Sequence, residues 1–215
     1  MTRTASIALA ALGLCGAIVA GAQSATAQKG GSDWPCVQVQ QPELSVGAMW
    51  TGPDPAQAGA NWREAPGVLE LVRRVAPRRV AVDEANAEIR RFLAGVEGDR
   101  SIVATQIFAG LFESLDAERG AIIRGIHRYS ARQSALADRI EKARRELDAL
   151  DPRSTDARAV ERRAEIETQM AWDSRIFDDR ERLLPLICEQ PAVIERRLFA
   201  LARALAEEIE RRSRN

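Results

Sequence analysis

From Phe108 to Leu150 the chain repeats apolar residues in alternating steps of four and three. The positions are Phe108, Phe112, Leu115, Arg119, Ile122, Ile126, Tyr129, Gln133, Leu136, Ile140, Ala143, Leu147 and Leu150. Such steps hold a narrow stripe on one side of a helix, the arrangement of a coiled-coil seam. Only Arg119 and Gln133 interrupt it with strongly polar groups. After Asp151-Pro152-Arg153-Ser154-Thr155, a turn followed by a fresh helix start, the same steps resume at Ala159, Arg163, Ile166, Met170, Asp173, Phe177, Arg180, Leu184 and Ile187. A turn centred near Arg153 predicts that the second stripe folds back on the first, so that positions summing to about 306 should meet. Tyr129 then faces Phe177, Ile126 faces Arg180, and Gln133 faces Asp173 as a register-fixing polar pair.

Around this hairpin the pattern is helical almost to the end. Val68–Val75 reads as a short helix closed by Pro77. Asp83 can cap a helix through Ala94, with Ala85, Ile89 and Phe92 inward and Gly95 and Gly98 beyond it. Asp99 can cap the long helix. Gly110, Gly120 and Gly125 lie inside that helix, each at a cost of about 1 kcal/mol against alanine, which predicts a break near residues 114–116. Pro185 should kink the second hairpin helix near its end, and Pro191 suits the first position of a last helix with Ile194, Leu198, Leu201 and Leu205 on one face. The fold expected is all-α: an elongated helical bundle over residues 67–215, carrying an antiparallel coiled-coil hairpin over about 116–187.

Residues 28–66 differ in kind. Pro35, Pro42, Pro53, Pro55 and Pro66 are spaced too closely for a helix of any length. Trp34, Trp50 and Trp62 recur among them, and Trp172 lies in the second hairpin helix. Large rings at intervals argue for an extended arm laid on the helical body, with packing as the leading role and a ligand or partner groove as the alternative. Trp34, two residues from Cys36, should be pinned to the body, whereas Trp50, between Gly47 and Gly52, should be partly exposed.

Residues 1–27 read as a secretory signal peptide: Arg3, an apolar stretch over 5–22, then small-residue cleavage sites ending at Ala22 and Ala27, the latter favoured. Its removal leaves Cys36 and Cys188, an even pair that an oxidising compartment would join. Mature charge near −1 gives no general attraction to nucleic acid or acidic lipid. No later apolar run is long enough to span a bilayer.

Residues for chemistry are scarce. His127 is the one histidine, without a ligand spacing around it, so no metal, haem or other cofactor is expected. No nucleophile elbow, phosphate loop or dinucleotide fingerprint occurs. Arg73, Arg74, Arg78 and Arg79 form the densest basic patch, best read as a solvated face given Asp83, Glu84 and Glu88 close behind. Asp33-Trp34-Pro35-Cys36, followed by Pro42-Glu43-Leu44-Ser45, Trp50 and Gly52-Pro53, resembles the mature start of uncharacterised secreted proteobacterial helical proteins. That resemblance implies a periplasmic location and no activity.

The function expected is therefore a non-enzymatic periplasmic adaptor that binds another periplasmic or membrane-associated protein through the hairpin or the tryptophan-bearing arm. The alternative is a small-ligand or lipid-binding bundle built on Trp34, Trp50, Trp62 and Trp172.

Overall fold

The computed structural model describes residues 34–213, so the signal-peptide reading lies outside the described residues. Among them are seven helices and no strand: α1 Val46–Met49, α2 Pro55–Ala58, α3 Val68–Val75, α4 Val82–Ala94, α5 Arg100–Asp148, α6 Ala157–Cys188 and α7 Gln190–Ser213. The protein is all-α, and α5 organises it. At about 1.5 Å per residue, its 49 residues span about 73 Å. Asp99 caps it, accepting from the backbone N–H groups of Ser101 and Ile102. α6 and then α7 run back along it, while α3 and α4 cover its N-terminal half.

The hydrophobic core sits at that N-terminal half. Phe108, Leu111 and Leu115 of α5 meet Leu71, Val72 and Val75 of α3, Ile89 and Leu93 of α4, and Ile194, Leu198, Leu201 and Leu205 of α7. All the inward positions expected for the last helix are buried. In α4 it is Leu93 rather than Phe92 that is fully buried. That helix begins at Val82 with Ala81 in the cap position, so Asp83 does not cap it. Asp83 and Glu84 lie in the first turn instead, where a negative charge favours the positive end of the helix dipole.

No break occurs near residues 114–116, and α5 passes through all three glycines. Gly110 shows why. A Cβ there would come within 2.7 Å of Trp62 Cε3 and 2.8 Å of Val72 Cγ2, so the missing side chain is what lets α5 close on α3 and the arm. The propensity cost is offset by packing. Pro185 likewise lies inside α6, which continues to Cys188. Only Glu189 separates α6 from α7, and Pro191 occupies the second position of α7.

Beyond the core, α5 and α6 pair with each other. The bonds between them descend one helix as they climb the other: Tyr129 donates to the Arg180 carbonyl at 2.7 Å, Gln133 to the Phe177 carbonyl at 3.3 Å, Arg139 pairs with Asp173, and Arg162 with Glu146 at 2.8 Å. The fold-back is as the repeat predicts, but the register pair is not. Gln133 gives its amide N–H groups to Phe177 and Glu181, and Asp173 accepts from Arg139 and Gln169. Side chains in a helix lean toward its N-terminus. In two helices of opposite direction both leans carry the contact to higher numbers than Cα positions alone give. A sum estimated from the turn therefore falls short by about two, one position for each helix, and long side chains that reach along the partner add to it.

Candidate functional site

The four tryptophans singled out by sequence take different local roles. Trp50 is 7% exposed, stacks on Phe108 with ring centroids 4.4 Å apart, and donates its N–H to the Pro53 carbonyl at 2.7 Å. It is core, not the partly exposed ring expected. The reason is Gly52, whose missing side chain leaves room for the ring: a Cβ there would lie 2.3 Å from Trp50 Cζ2. Trp62 is buried too. Its N–H donates to Glu113 at 3.2 Å, and Arg63, itself paired with Glu113, lies 4.5 Å over its ring. The Arg63 guanidinium, with the Trp62 donor adding to it, holds the Glu113 carboxyl below its ordinary range against the opposing effect of burial. Trp34 is half-buried, its ring 5.5 Å from that of His127 and its N–H on the Gln38 carbonyl at 2.7 Å.

The arm is held down at two more points. Cys36 and Cys188 are joined, with Cα atoms 5.6 Å apart and 152 residues between them in sequence. Arg119, the polar interruption of the seam, is buried, pairs with Glu195 at 2.6 Å and donates to the carbonyls of Gln41 and Pro42. Its place in the stripe is explained by the arm it grips. Arg197 does similar work in α7, donating to the carbonyls of Val75, Ala76 and Val80 at 2.6–2.9 Å and so satisfying the end of α3. Burial pushes its guanidinium below its ordinary value. Sequence reasoning missed Arg197, although it stands three residues from Ile194 and four from Leu201, on the apolar face itself.

Trp172 is the exception. It is 59% exposed on the flank of α6, and Ile176, Leu183 and Leu186 follow at 40%, 51% and 60%. Their steps of four, seven and three residues keep them on one outer stripe beside the seam, interrupted midway by Asp179, which pairs with Arg182. A furrow of about 280 Å³ runs beside this stripe between the two helices, lined by Arg132, Ala135, Leu136, Arg139, Ile176 and Arg180. Arg128, Arg132 and Arg180 have no carboxylate partner among the described residues. Arg139 reaches the buried Asp173 at 3.1 Å. The flank is thus mostly apolar along α6, apart from Asp179, and cationic along its α5 side. The disulfide and Trp34 lie toward the other side of the pair, by Tyr129, Gln133 and Glu181.

Other clefts exist among the described residues, and two hold more than twice the furrow's volume. One, of about 590 Å³, lies among Arg90, Leu93, Arg100, Ala104 and Ile209, where α4 and the end of α7 meet the start of α5. The other, of about 670 Å³, is lined by Trp62, Leu69 and Val72 together with Arg73, Arg78 and Arg79. The expected basic patch is largely paired: Arg73 with Glu70, Arg74 with Glu88, and Arg78 with Glu118. Among the described residues no group of three or more His, Cys, Asp or Glu side chains could hold a metal ion. No helix of the described residues is long and apolar enough to cross a membrane. No family model matches the chain, and neither a curated protein nor a solved structure matches it.

Proposed function

We propose that the protein is a non-enzymatic adaptor of the bacterial periplasm that docks another envelope protein on the Trp172 flank of the α5–α6 pair. One observation carries this reading: Trp172, Ile176, Leu183 and Leu186 form a largely apolar stripe in water on α6, beside the face that α6 turns to α5. Isolated exposed apolar residues are ordinary on protein surfaces. An aromatic-led series at helical spacing, rimmed by charge, has the composition of an interface, where tryptophan and arginine are enriched. The disulfide supports an oxidising compartment, and the signal-peptide pattern of residues 1–27 supports the periplasm.

The arm is withdrawn from the docking surface proposed, because Trp50 and Trp62 are spent on the core. A photo-activatable cross-linking residue placed at 176 in exported protein tests the reading, with the same residue at the exposed Glu207 of α7 as control. A discrete adduct from 176, absent from 207 and lost with Trp172→Ala, is the expected result. No adduct from 176, or the same adduct from both positions, refutes the reading.

A further inference from the structure

We infer that the occupant of this flank is an acidic amphipathic α-helix, laid along the α5–α6 furrow as a third strand. The inference rests on the adaptor reading and adds the chemistry of the partner. Two features of the flank point to it.

The first is period. The exposed stripe on α6 keeps heptad steps from Trp172 to Leu186, with Asp179 at the middle step tied to Arg182, and the furrow beside it is walled on α5 by Arg132 and Arg139, also seven residues apart. A helix partner needs that repeat, because its own apolar residues return every three or four positions. A bilayer surface needs apolar and basic groups but no such repeat.

The second feature is charge. Arg132 and Arg180 line the furrow, with Arg128 one turn before Arg132 on α5, and charges beside a helix–helix contact select the partner. With no carboxylate of their own among the described residues, they call for glutamate or aspartate on the incoming helix. The same charges argue against a second copy of this chain on this face. A two-fold contact would set the arginine row against its own image, and like charges across an interface cost affinity.

The test uses the full mature protein and two designed three-heptad peptides with identical leucine and isoleucine seams, one flanked by glutamate and one by lysine. The glutamate peptide is expected to bind at least about tenfold more tightly than the lysine peptide at low salt, with the preference shrinking as salt rises. Binding should shift tryptophan emission to the blue, and Trp172→Phe should remove that shift without removing binding. Arg128→Glu with Arg132→Glu changes two side chains that make no ion pair, so the fold should persist by circular dichroism while the preference reverses toward the lysine peptide.

Equal affinity for the two peptides overturns the inference, as does a preference that the double variant leaves unchanged. So does binding to phosphatidylglycerol–phosphatidylcholine vesicles without binding to the glutamate peptide, and so does self-association of the free protein that Trp172→Ala abolishes. Failure of both peptides alongside an intact, Trp172-dependent cross-link at 176 removes the acidic helix and leaves the adaptor. Loss of that cross-link removes the adaptor.

Discussion

At the scale of single residues the buried cations matter most. Arg197 offers three donors to the carbonyls that close α3, a geometry the planar guanidinium supplies and an ammonium does not. Arg197→Lys should therefore destabilise the protein although charge is kept, by about 2–4 kcal/mol if one or two charge-assisted bonds are lost. Chemical denaturation would show it, and an unchanged midpoint would mean that the contacts are incidental. Glu113 gives a pH-dependent counterpart. Its folded carboxyl titrates below its ordinary value, chiefly through the Arg63 guanidinium. Its contribution is thus present above the unfolded carboxylate range and lost as pH falls through the folded value. With both side chains more than half exposed the effect on stability is small, so the useful measurement is the carboxyl titration itself by NMR. Arg63→Gln should move that titration upward.

Among the elements, Gly110 separates propensity from packing. Glycine to alanine inside a helix ordinarily stabilises by about 1 kcal/mol. Here the new methyl meets Trp62 and Val72, both buried, and Trp62 is tied to Glu113 besides. Neither neighbour can swing aside, so overpacking wins and Gly110→Ala should lower stability by about 1–3 kcal/mol. A rise in the melting temperature would show that the interface yields. The same glycine marks what a sequence can and cannot reveal. The hairpin stripes, the Asp99 cap, the α3 bounds and the α7 face are periodic or local signals, and they are visible in the chain. The passage of α5 through Gly110 depends on what lies opposite it, Trp62 and Val72, which no local signal shows. The pairing of Gln133 with Phe177 and Glu181, rather than with Asp173, depends on the lean of side chains that a count of positions omits.

For the whole molecule the question is what the arm does. The cysteine pair was readable from an even count, and the tryptophans were readable as anchors. Which of the four were anchors was not, because burial is decided by neighbours far along the chain, as with Phe108 for Trp50 and Glu113 for Trp62. The arm closes the bundle through the Cys36–Cys188 bridge, Arg119 on the Gln41 and Pro42 carbonyls, Trp50 on Phe108 and Trp62 beside Gly110. Stability and docking should therefore separate cleanly among the tryptophans. Trp50→Ala and Trp62→Ala each remove a ring from the core and should cost about 3–5 kcal/mol. Trp172→Ala removes a ring already mostly in water and should fall within about 0.5 kcal/mol of the parent. Trp34, half-buried against His127, should lie between them. Replacing both cysteines with alanine opens a 152-residue loop and should cost up to about 5 kcal/mol on the chain-entropy account, with no effect on peptide binding at the α6 flank while the fold persists. Urea unfolding of the five variants gives the order directly. A large loss at Trp172 would show that its ring belongs to the fold, and the surface assigned to the partner would then have to lie elsewhere on the α5–α6 pair.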